Sequence, residues 1–138
     1  MLADLSFSYV LIAAAVVVAI FAIVAVRTKV SAKTAEPTRR SITLTSPLSP
    51  DAAFAKLAHA KWTGRCKLAD SDAQKRVLVL SSGISGWSWG FFYPLFIRPS
   101  ASGSVVEIGV KPRAPQYGLI VSNNHKACAV EIEKALAA

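Results

Sequence analysis

Between Asp4 and Arg27 the chain carries 22 consecutive residues without a charge, LSFSYVLIAAAVVVAIFAIVAV. As a helix rising about 1.5 Å per residue, that run spans the roughly 30 Å hydrocarbon core of a bilayer. Its polar side chains, Ser6, Ser8 and Tyr9, all lie near its start, where a tyrosine ring suits the membrane interface. A lone segment in lipid must satisfy its own backbone, and only a helix does so. A cleaved signal peptide needs a basic start and a shorter apolar stretch; here the start is MLAD and the run is long. A small domain also has too little surface to cover a helix that is apolar on every side. The run therefore predicts a membrane anchor over residues 1–26.

The flanking charge predicts orientation. Upstream there is only Asp4 and the amino terminus. Downstream come Arg27, Lys29, Lys33, Arg39 and Arg40 against the single acid Glu36. The positive-inside rule then places the C-terminal side in the cytoplasm and the amino terminus outside, in a single-pass inner-membrane protein. Ala15, Ala19 and Ala22 share one helix face at i, i+4, i+7 spacing, and small residues there allow two helices to approach, which suggests a homodimer.

The net charge of +8 divides unevenly. Residues 27–40 hold five bases and one acid, residues 41–138 hold eleven bases and six acids, and Asp4 supplies the rest. Residues 27–40, RTKVSAKTAEPTRR, read as a basic linker without regular structure, attracted to anionic lipid by about 1 kcal/mol per base near the surface. That position accounts for the high charge without nucleic acid, and the bases beyond it are scattered. Cys66 and Cys128 are the only cysteines, expected reduced and buried in a cytoplasmic domain. His59 and His125 have no ligand-spaced company, so no metal or other cofactor is expected.

Residues 41–138 suffice for one small domain. SITLTS, 41–46, alternates as a half-buried strand does. Ser49-Pro50-Asp51 starts a helix that runs to about Lys61, with a serine cap, proline in the first turn and an acid at the positive dipole end. Strands follow at 64–70, 75–82, 91–100 and 105–113. Val77 and Val79 oppose Leu78 and Leu80, so that strand is apolar on both faces. Pro94 predicts a bent or edge strand. YGLIV, 117–121, reads as a short apolar passage or last strand, and Ser122 or Asn123 as the cap of a final helix over 124–137. Short bends predict an antiparallel meander. The fold class is α+β: one N-terminal transmembrane helix plus a two-layer domain in the order β-α-β-β-β-β-α, both helices on one sheet face.

The turns and caps Ser49-Pro50-Asp51, Gly83-Ile84-Ser85 with Ser88-Trp89-Gly90, Lys111-Pro112-Arg113 and Asn123-Asn124 resemble those of small bacterial domains that look like reduced relatives of the helix-grip, START/polyketide-cyclase-like superfamily. The resemblance covers residues 41–138. It implies a sheet wrapped around a C-terminal helix, and in full-size members an apolar ligand held between them. This chain is short for that, and its final helix makes only about four turns.

Trp87, Trp89, Phe91, Phe92, Tyr93 and Phe96 are six of the chain's twelve aromatics, within ten positions. Trp87, Trp89, Phe91 and Tyr93 share one strand face and Phe92 takes the other. Three roles compete for them: core beneath the helices, a pocket for an apolar ligand, or an exposed patch meeting membrane or partner. Trp62 fits any of the three. The acids offer little catalysis. Asp51 serves a helix start, Asp70 and Asp72 a turn, and Glu131 and Glu133 the wet side of a helix. Glu107 is expected to pair with Lys111. Neither Ser85 nor Ser88 sits in a nucleophile elbow, and Gly83, Gly86 and Gly90 precede no helix. The expectation is a membrane-anchored binding protein, not an enzyme, engaging lipid or a membrane-protein partner. The alternatives are a carrier of a hydrophobic small molecule and a phage- or host-encoded membrane protein that blocks ingress or assembly of something else.

Overall fold

The computed structural model describes residues 2–85 and 88–138, so Trp87 lies outside the described residues. Helix α1 spans Leu2–Arg27 and is long and apolar enough to cross a membrane. Its side chains are mostly exposed, unlike those of a core helix: 6% of the apolar span is buried. Ala15 and Ala19 are exposed and Ala22 is half-buried.

The rest is a two-layer α+β unit. Strand β1 is Ser41–Ser46, α2 is Pro50–Ala58, β2 is Cys66–Asp72, β3 is Val77–Ser82, β4 is Phe91–Ser100 and β5 is Gly103–Gly109. A two-residue β6, Lys111–Pro112, precedes the final helix α3, Leu119–Ala137. All strand pairs are antiparallel, in the order β1-β5-β4-β3-β2, with β6 against the start of β4. Ser49 caps α2 by accepting from the Ala52 N–H at 3.2 Å. Asp51 also reaches Arg76 at 2.7 Å, tying the helix start to the β2–β3 turn.

Helices α2 and α3 cover one sheet face. Leu78, Leu80, Phe91, Tyr93, Leu95 and Ile108 meet Ala53, Leu57, Cys128 and Ile132 there. The opposite face carries Val77, Val79, Phe92 and Phe96. Residues 28–40 form no helix or strand and lie across that face as a strap. Ala32 is buried, Val30 and Ala35 pack beside it, and hydrogen bonds to the rest of the domain fasten it. The Ala32 N–H donates to Asp70 (2.8 Å), Lys75 Nζ to the Lys33 carbonyl (2.6 Å), and the Val110 N–H to Thr38 Oγ1 (3.0 Å).

Three further expectations are corrected. Of the bent and edge strands expected at Pro94, the edge is excluded, because β4 lies in the middle of the sheet. The ladder on one side of β4 passes from β5, whose last pair is Leu95–Ile108, to β6, whose first is Phe92–Lys111. Pro94 sits in that break, where a missing N–H costs no ladder bond. The apolar 117–121 passage is no strand: α3 begins at Leu119, after Gly118 at φ 71° turns the chain, and its cap is Gly118 and not Ser122 or Asn123. Helix α2 stops at Ala58, short of Lys61, with His59 closing it.

Candidate interaction surface

The aromatic run divides among three environments. Phe91 and Tyr93 are buried beneath the helices, and Phe92 and Phe96 beneath the strap. Trp89 is half-buried and lies ahead of β4, because Gly90 at φ 88° breaks the strand alternation. Its ring meets Phe21 of α1 edge-on, with centroids 5.6 Å apart and planes at 71°. Trp62 is half-buried against the helix-covered core.

This contact is one part of a junction between α1 and the domain. Arg113 organises it: Nε donates to the Ser82 carbonyl (3.0 Å), Nη1 to the Ala25 carbonyl (3.4 Å), and the guanidinium lies 4.3 Å from the Phe92 ring centroid. Ala25 is in the last turns of α1, whose terminal carbonyls lack helical partners and carry the negative dipole end, so a cation there is favourable. Thr28 Oγ1 lies within hydrogen-bond distance of the carbonyls of Val24 (2.6 Å) and Arg113 (3.0 Å). A Cβ on Gly90 would sit 2.5 Å from the Ser82 oxygen and 2.8 Å from Arg113 Cδ, so only glycine lets these segments close up. Gln116 adds two bonds, accepting from the Trp89 N–H (3.1 Å) and donating to the Gly90 carbonyl (3.0 Å).

Two open hollows flank the junction. One, of about 460 Å³, lies between the end of α1 and the strap side of the sheet, with Val26, Val30, Asp70, Phe92 and Arg113 on its walls. The other, of about 550 Å³, is formed by Ser88, Trp89, Gln116, Tyr117 and Ile120. Between sheet and α3 a small hollow of about 40 Å³ lies beside Cys66, Tyr93, Cys128 and Glu131, next to one of about 170 Å³ that Arg65, Ser82, Ile84 and Asn124 line. Arg27, Lys29, Lys33, Arg39 and Arg40 are all exposed.

The acids hold structure together. Glu107 pairs with Arg98, not Lys111. Glu131 is not on a wet face: its carboxylate accepts the N–H groups of Arg65 (3.1 Å) and Cys66 (3.3 Å), pinning the start of β2 to α3. Backbone hydrogen bonds, first from Ala32, hold the Asp70 carboxyl below its ordinary range. The hydrogen-bonded Arg76 guanidinium does the same for Asp51. Among the described residues no group of three or more His, Cys, Asp or Glu side chains is placed to hold a metal ion.

His125 is buried, with Nε2 2.7 Å from the Ile108 carbonyl and its ring stacked on Tyr93. A carbonyl only accepts, so Nε2 carries the hydrogen. Burial lowers the imidazole pKa below 6.5, the Ile108 bond opposes this, and Arg40 adds to it. The unfolded chain then binds more protons than the folded one as the pH falls through that value, and stability drops. The urea midpoint is expected to fall between about pH 7 and about pH 5, and less steeply in His125→Gln. Equal slopes would remove His125 from the account.

No family model matches the chain, and no curated protein matches it. Among solved structures it is similar to the crystal structure of Ara h 8.0201, with a TM-score of 0.51 at 12% identity, over 70% of this chain and 93% of that one. The fold is helix-grip-like. At this identity the similarity speaks to architecture alone.

Proposed function

We propose that the chain is a single-pass membrane protein whose helix-grip-like domain acts by binding a membrane-protein partner or lipid, and not by turnover. The observation that carries this reading is the filled interior. Tyr93, Cys128 and Ile132 fill the core between the sheet and its C-terminal helix, and the hollow beside Tyr93 and Cys128 measures about 40 Å³. That volume admits about one water molecule. Asp51, Asp70, Asp72, Glu107 and Glu131 are engaged in structural contacts, which supports a role without catalysis. The exposed apolar α1 supports the anchor, and the five exposed bases after it support a cytoplasmic domain at an anionic surface.

The helix-grip-like architecture favours a second reading, a carrier of a hydrophobic small molecule. Native mass spectrometry of the full chain released from detergent separates the two. The binding-module reading expects the mass of the bare polypeptide, with any lipid adducts graded and removable by mild activation. A single apolar molecule retained at one-to-one stoichiometry would overturn it in favour of the carrier.

A further inference from the structure

Tyr117, Leu119 and Ile120 are 83%, 78% and 45% exposed, three large apolar side chains within four residues, while Leu68, Ile84 and Val130 are exposed singly elsewhere on the domain. They stand where the chain turns into α3 at Gly118. Tyr117 and Ile120 share a hollow with Trp89, and Trp89 packs on Phe21 of α1. Phe21 precedes Arg27 by six residues, so it lies roughly 9 Å along the helix axis inside the apolar run. A bilayer that surrounds α1 up to Arg27 therefore reaches the level of Trp89, and the hollow opens at that level.

The charges at this end of the sheet match a membrane surface. Lys111 pairs with Phe92 at the start of β4, and Arg39 and Arg40 directly precede Ser41, whose partner is Gly109. Together with Arg27 at the end of α1 they are four exposed bases, the other three toward the end of the sheet where β4 begins. Aromatic and aliphatic side chains among lysines and arginines are what an anionic bilayer interface takes.

We infer that residues 115–120 and Trp89 form a second membrane contact, which seats Tyr117 and Leu119 in the interfacial layer of the bilayer that α1 crosses. This rests on the reading of α1 as a transmembrane anchor. The domain is then held at two points, with its membrane-facing end fixed and the β2–β3 turn pointing away.

The test is nitroxide accessibility on the full chain in vesicles of phosphatidylcholine and phosphatidylglycerol. Single labels go on Leu119→Cys, on Ala15→Cys in mid-span, and on Ala73→Cys in the β2–β3 turn. Cys66 and Cys128 stay in place because both are buried. Leu119 and Ala73 are exposed, so neither label disturbs packing. The expected result is a ratio of oxygen to aqueous nickel-chelate collisions several-fold higher at Leu119 and Ala15 than at Ala73. A water-like ratio at Leu119 with a lipid-like one at Ala15 overturns the second contact and leaves the anchor standing, which assigns the apolar patch to a protein partner. A water-like ratio at Ala15 overturns the anchor and the second contact together.

Discussion

Phe91→Ala is expected to lower the urea midpoint of the domain sharply, whereas Trp89→Ala leaves it close to that of the parent. The two residues are two positions apart, and alternation alone gives them the same role. Phe91 is fully buried between the sheet and the helices, with Leu80, Tyr93 and Ile132 in the same cluster. Truncating a buried phenylalanine costs about 3–5 kcal/mol, from lost transfer energy and the cavity left behind. A domain of this size has about 5–15 kcal/mol in total. Trp89 is half-buried and meets Phe21 of α1, so its loss changes domain stability by about 1 kcal/mol or less. It frees the junction instead, and limited proteolysis is expected to open the strap at 28–40. Urea denaturation of the full chain in detergent reads the first effect. A Phe91→Ala midpoint close to that of the parent would remove Phe91 from the core.

That contrast also marks how far the sequence can be read. Parity along β4 separates Phe91 and Tyr93 from Phe92, and the double-sided run Val77–Leu80 foretells a strand covered on both faces. It does not foretell what covers the second face. The strap has no period, since it is neither helix nor strand. Its attachment depends on Val30, Ala32 and Ala35, small residues within a stretch whose bases dominate its composition. The start of α3 was hidden by the apolar triplet Leu119–Val121, which reads as strand when taken alone. The spacing Val121, His125, Cys128, Ile132, Leu136 carries the helical period one turn further back, but the histidine in that series looks polar. Its bond to Ile108 makes it a core residue. Glu131 is hidden for the same reason: a carboxylate on a helix reads as solvated, and nothing local shows that it accepts the N–H groups of Arg65 and Cys66. The Arg113 junction left no local signal at all, because its partners Ala25, Ser82 and Phe92 are far apart in sequence.

A tag placed after Ala138 is expected to resist protease in spheroplasts whose inner membrane is intact, and to be cut once that membrane is opened. The expectation rests on Arg27, Lys29, Lys33, Arg39 and Arg40 holding the C-terminal side in the cytoplasm. Their side chains are exposed, so replacing all five by glutamine while changing Asp4→Lys alters the topology signal without removing core packing. That variant is expected to invert, with its tag cut in intact spheroplasts. The thiols give a second readout of the same event. Cys66 and Cys128 are buried and free, and line the same small hollow. The Cys66 contact, and then burial, push the Cys128 thiol above its ordinary range, which makes it a poor nucleophile. In the cytoplasm both thiols stay free, and alkylation waits for unfolding. On the oxidising side, where disulfides persist, the contacting pair is expected to bridge as the inverted chain folds, visible as a shift on non-reducing gels. A cut tag in the parent protein would defeat the charge argument. A bridge found there as well would place the domain outside by a route independent of the protease.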